Sequence, residues 1–141
     1  MATLPQPDDL TSLLLRTDFR DDAAWDEVVT AVNGQEEYPH ATCVSDPAYA
    51  EVSVQRLVEI DTAAGDDAAL TYLFLADATT MTDDERPLLA VDLYDEPGRT
   101  FRVPPQWFAE ISANLCIANL DFADFADDVD ASGTYRGLGE A

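Results

Sequence analysis

Three aspartates, Asp18, Asp77 and Asp92, each stand at or near the end of a stretch that reads as a β-strand, and Asp21 and Asp22 open the helix after the first. In an open α/β sheet, ligands collect in the crevice beyond the carboxyl ends of the strands. Carboxylates gathered there are the ligands Mg²⁺ takes, one or two at a time, with water and a phosphate. Converged, they would support metal-dependent phosphoryl or hydrolytic chemistry. Against this stands composition: 29 of 141 residues are Asp or Glu, so acids at strand ends are expected on numbers alone. Asp21, Asp22 and Asp121 are moreover placed to cap helices.

The remaining inventory excludes much chemistry. His40 is the one histidine, so a two-histidine zinc motif cannot be built and a Ser-His-Asp triad would depend on a single loop residue. There is no lysine, no Walker loop and no G-x-G-x-x-G, which removes P-loop and Schiff-base chemistry. No cofactor is expected. Cys43 and Cys116 are 73 positions apart and make no disulfide framework, so both read as buried thiols in a reducing cytoplasm. The first residues, Met1 to Asp9, have neither a basic region nor an apolar run, so no secretory signal is expected.

Charge points toward partners. Seven arginines against 29 acids leave a formal net charge of −22, which opposes phosphate backbones and anionic membrane surfaces and favours a basic protein. Tyr38, Tyr49 and Tyr135 fall in loop or terminal segments, the first two close to Glu36, Glu37 and Glu51. Aromatic anchors with steering carboxylates are what an interface for an arginine-rich partner uses, whereas the plainer reading is partly buried loop tyrosines. The expectation is therefore a non-enzymatic acidic binding protein, such as an immunity-type inhibitor of a basic toxin or nuclease. A metal-dependent enzyme using Asp18, Asp77 and Asp92 is the alternative.

The elements that must position these residues follow from periodicity. A mobile lead-in over residues 1–9 is expected, then a single α/β domain over 10–141 with a mixed sheet of about five strands and about four helices. Strands are expected over Ser12 to Phe19, Ala41 to Ser45, Leu70 to Ala76, Leu88 to Tyr94 and Thr100 to Val103. Trp25, Val28, Val29 and Val32 share a helical face behind Asp21, and Asn33-Gly34 marks its end. A two-turn helix starts after Ser53, and a polar loop is expected over Asp61 to Asp67. The polar stretch Thr79 to Pro87 is short for a right-handed crossover, so the next strand should run antiparallel. Glu96-Pro97-Gly98-Arg99 then has the residues of a type II turn, with Arg99 and Arg102 paired to hairpin acids. Helices follow Pro104-Pro105 and Asp121. Trp25, Val28, Leu73, Leu75, Val91, Ile111, Phe122 and Phe125 are expected in one contiguous core.

Three segments in this order, Leu13-Leu-Leu-Arg-Thr-Asp-Phe19, Asp92-Leu-Tyr-Asp-Glu-Pro-Gly-Arg-Thr-Phe-Arg-Val103 and Asn114-Leu-Cys-Ile-Ala-Asn-Leu-Asp-Phe-Ala-Asp-Phe-Ala126, resemble a family of small actinobacterial proteins known as a domain of unknown function. The resemblance spans about Leu13 to Gly137. It implies a bacterial, intracellular origin, and of the two explanations for the missing lysine, coding bias and adaptation to high salt, it favours the first. It carries over no activity, cofactor or catalytic residue.

Overall fold

A computed structural model of the chain describes residues 4–8, 11–34, 40–65, 70–116 and 121–135. Its elements are β1 (Ser12–Arg16), α1 (Asp22–Asn33), β2 (Ala41–Val44), α2 (Val54–Ala64), β3 (Tyr72–Ala76), α3 (Ala78–Thr82), β4 (Leu88–Asp92), β5 (Thr100–Val103), α4 (Phe108–Cys116) and α5 (Phe122–Ala126). The strands form one sheet in the order β2-β1-β3-β4-β5, parallel from β2 to β3 and antiparallel from β3 to β5. This is the single mixed α/β domain expected from the sequence, with five helices among the described residues.

Local chemistry sets the helix boundaries. Asp21 accepts the Ala24 amide at 3.0 Å and opens α1, while Gly34, at a φ of 57°, closes it. Ser53 caps α2 in the same way through the Arg56 amide at 3.1 Å. That helix runs to Ala64, a turn beyond expectation, because Ile60 and Asp61 are both buried on its inner side. Asp61 is thus helical rather than part of a loop, and its carboxylate accepts the Leu70 amide at 2.7 Å. The polar stretch after β3 hides the short helix α3, which a reciprocal cap between Asp77 and Thr80 makes possible. After it, β4 runs antiparallel to β3, as the short connection requires. Gly98 sits at a φ of 96°, and the Arg99 amide bonds the Glu96 carbonyl at 2.9 Å, closing the turn before β5.

The expected single core is instead two, one on each face of the sheet. Trp25, Val28, Ile111, Phe122 and Phe125 pack with Leu14, Phe74 and Phe108 under α1, α4 and α5. Leu73, Leu75 and Val91 pack with Leu13, Leu15, Leu57 and Ile60 under α2. Successive side chains of a strand point to opposite faces, so Leu73 and Phe74 cannot share a cluster when helices cover both sides. Leu4, placed by sequence in the lead-in, is also buried in the α2-side core at 2% exposure. The accessible surface is 7499 Å².

Candidate functional site

The topology creates a crevice. From β1 the chain passes through α1 on one face to reach β2, then crosses through α2 on the other face to β3, which pairs with β1 on its other side. Strand order therefore reverses between β1 and β3, and a cleft of about 580 Å³ opens where those strands end. Asp18 and Asp77 both line it, as their positions after β1 and β3 imply. Its other walls include Phe19, Arg20, Glu51 and Thr79.

Both carboxylates are already engaged. The Asp18 oxygens accept the Arg20 backbone amide at 3.0 Å and the Arg20 guanidinium at 2.6 Å. Those bonds hold the Asp18 carboxyl below its usual range, against the opposing pull of burial. Burial likewise pushes Asp77 upward, but Arg102 and Thr80 outweigh it and its pKa is lowered. Arg102 grips Asp77 with two bonds, at 2.8 and 2.9 Å, while Thr80 donates its amide at 3.2 Å and its hydroxyl at 3.1 Å. A carboxylate has about four acceptor positions, so neither aspartate has much capacity left for a substrate or metal. Arg102 reaches across the sheet to Asp77 rather than to an acid of its own hairpin, whereas Arg99 does pair with Glu96 at 2.7 Å, as expected, and also with Asp127.

The Arg16 side chain, buried at the end of β1, donates to the Asp18 carbonyl at 2.8 Å and to Asp22 at 2.7 Å, and its guanidinium lies 4.6 Å from the Phe19 ring centroid. Glu51, one of the expected partner-binding acids, is exposed on the rim in the left-handed region, at a φ of 57°. Its amide bonds the Thr17 carbonyl at 2.7 Å, which ties the loop after β2 to the end of β1.

Asp92 does not join this group. Because β4 is antiparallel, Asp92 lies opposite Tyr72 at the start of β3, whereas Asp77 follows the end of that strand. Five residues of strand separate the two levels, about 17 Å at a rise of about 3.3 Å per residue. Ligation needs oxygens at roughly 2.0 to 2.6 Å from one ion, so the structure does not bring together the three aspartates of the alternative metal reading. Among the described residues no group of three or more His, Cys, Asp or Glu is placed to hold a metal. The Asp92 carboxylate instead accepts the amides of Tyr94 at 2.9 Å and Glu96 at 3.0 Å, shaping the turn.

The tyrosine expectation is also redrawn. Tyr49 is 5% exposed in the α2-side core, where burial raises its pKa. Tyr135 is fully buried, its ring 5.3 Å from that of Phe125 and its hydroxyl 3.3 Å from Glu110. Neither is a surface anchor, because both rings fill gaps where a turn or terminal segment closes over the sheet. Tyr38, Glu36 and Glu37 lie outside the described residues. Among the described residues the exposed aromatic is Tyr94, 72% accessible, with exposed Asp95 and Glu96 beside it. Sequence reading placed it inside a strand, but β4 stops at Asp92; the signal for a turn was the Pro97-Gly98 pair a few residues on.

Each arginine among the described residues is matched to an acid of the same chain: Arg16, Arg20, Arg56, Arg86, Arg99 and Arg102 all form ion pairs. Arg86 couples Glu27 of α1 at 2.7 Å and the Met81 carbonyl at 2.5 Å, bringing exposed Asp83, Asp84 and Glu85 toward the acidic outer side of α1. Cys43 is a free, half-buried thiol whose pKa burial pushes up to about 11. No helix of the described residues is long and apolar enough to cross a membrane.

Fold and surface together define a small, highly acidic mixed α/β domain with helices on both faces of a five-stranded sheet. The chain belongs to the family described as a domain of unknown function (DUF6924), whose model matches residues 11–138. Among curated proteins none matches the chain.

Proposed function

We propose that this protein is a non-enzymatic acidic binding protein that docks a basic protein partner in the cytoplasm. Inhibition of a basic toxin or nuclease, as an immunity protein would provide it, is the use its charge suits best. The observation that carries the reading is that all six described arginines are paired with acids of the same chain, in a protein whose formal net charge is −22. Such a surface steers a cationic partner and speeds encounter without any catalytic group. The engagement of Asp18 and Asp77 by arginines supports the same view, since neither is available as a general base.

A second reading has one feature in its favour. The cleft between β1 and β3 lies where α/β proteins bind small molecules, and about 580 Å³ is within the roughly 300 to 1,000 Å³ of such sites. Metal-dependent phosphoryl or hydrolytic chemistry there would require Asp18 and Asp77 to release Arg20 and Arg102. Affinity capture from source-cell lysate at low salt, followed by reconstitution from purified components, tests the main reading. A basic protein that re-forms a stoichiometric complex supports it, and recovery of only neutral or acidic proteins rejects it.

A further inference from the structure

The end of the sheet opposite the cleft holds a second cavity, of about 250 Å³, between the turn after β4 and the helices α4 and α5. It is lined by Tyr94 and Tyr72, the apolar residues Leu115 and Phe122, and the acids Asp95 and Asp121, the last of which also caps α5. We propose that this cavity is the socket for one arginine side chain of a basic partner, with Tyr94 as the aromatic wall and Asp95 and Asp121 as the flanking acids; the proposal rests on the acidic-binding reading and locates its centre.

Size, the exposed aromatic and charge each favour this occupant. At about 250 Å³ the cavity falls below the roughly 300 Å³ at which cofactor and small-molecule sites begin, which fits a single side chain. Tyr94 is the exposed large hydrophobic residue of the described surface, and an aromatic left in water at 72% exposure beside a cavity is available for stacking. Asp92, at the cavity edge, is consumed by the amides of Tyr94 and Glu96, and this fixes the turn that carries Tyr94 before any partner arrives. Asp95, exposed on the same turn, forms no ion pair with the described arginines. A planar guanidinium can stack on a tyrosine face while donating sideways to carboxylates, whereas an ammonium offers a compact point charge that gains less from that geometry. Arginine is therefore favoured over lysine.

The test uses two fluorescently labelled tetrapeptides, tetra-arginine and tetra-lysine, titrated into the full chain at about 20 mM NaCl, with binding mapped by amide NMR shifts. The proposal expects tetra-arginine to bind at least about threefold tighter than tetra-lysine, with shifts centred on Tyr94, Asp95 and Asp121. Tyr94→Ala should weaken tetra-arginine about three- to tenfold, and because Tyr94 is largely in water the variant should keep its melting temperature. Asp95→Asn should weaken it more than Asp26→Asn, which removes the same charge from the exposed side of α1. Equal binding of both peptides, unaffected by Tyr94→Ala and spread over the surface, would overturn the socket while leaving the acidic-binding reading standing. Binding of neither peptide would overturn both.

Discussion

Replacing Asp77 by alanine should lower folding stability by roughly 2 to 4 kcal/mol at neutral pH. Its cap on α3 accounts for about 1 kcal/mol, the usual cost of deleting an aspartate at that position. The two bonds from Arg102 are charge-assisted, about 1.5 to 3 kcal/mol each when well shielded, but both side chains keep about a quarter of their surface in water, 25% and 24%, so a discounted total of about 1 to 3 kcal/mol is appropriate. Relief of repulsion offsets little: spread over the 7499 Å² surface, the 29 acids stand roughly 16 Å apart on average, where a pair of like charges in water costs about 0.3 kcal/mol before screening. A double-mutant cycle with Arg102→Met, read by urea denaturation, should return a coupling of about 1 to 2 kcal/mol. Since the folded Asp77 pKa lies below its ordinary value of 3.8, the stabilisation is fully present above that value and is lost as pH falls through the folded pKa. The coupling should therefore hold from pH 7 down to the ordinary carboxylate value of 3.8 and shrink as the pH is lowered further, through the folded pKa. A cost below about 1 kcal/mol at neutral pH, or a coupling unchanged in acid, would refute the pairing as the reason Asp77 is ionised and occupied.

Further outcomes follow from other parts of the fold. Leu73→Ala, at a fully buried position in β3, should cost roughly 2 to 5 kcal/mol in the same urea assay, and a cost under about 1 kcal/mol would contradict its place in the α2-side core. Millimolar Mg²⁺ should raise the melting temperature no more than NaCl of equal ionic strength, because Asp92 stands about 17 Å from the level of Asp77; a saturable rise abolished by Asp77→Asn would revive the metal reading. In a Cys116→Ser background, iodoacetamide should label Cys43 far more slowly in the folded chain at about pH 8 than in urea, because a thiol with a pKa of about 11 is rarely ionised there; equal rates would show that the thiol is not held protonated by burial.

Local signals in the sequence were enough for the strand order's ingredients but not for its geometry. Asp21, Ser53, Gly34 and the Pro97-Gly98 turn act within a few residues of themselves, so their roles could be read directly. Asp18 and Asp77 meet at one cleft because both follow parallel strands, which strand ends alone could indicate. Asp92 failed to meet them because direction matters: reversing β4 carries its end to the far side of the sheet. The same lack of directional information merged two cores into one, since alternation along β3 decides faces only once both are known to be covered. Tyr49 and Tyr135 were misplaced for another reason. Loop position does not determine exposure, and a 3-10 turn at Pro47–Tyr49 and the bridge between Tyr135 and Val129 fold those rings inward. Tyr94, two residues past a strand end, is left outside by the turn that Asp92 holds.

The salt dependence of the association rate with the captured basic partner tests the acidic-binding reading most directly. Raising NaCl from about 50 to about 500 mM shortens the Debye length from about 14 to about 4 Å, which removes steering by carboxylates that are not in contact. The on-rate measured by surface plasmon resonance should then fall at least about tenfold, while the off-rate changes by less. An on-rate that stays level across that range would contradict the claim that the −22 charge of this chain exists to bring a cationic partner to its surface.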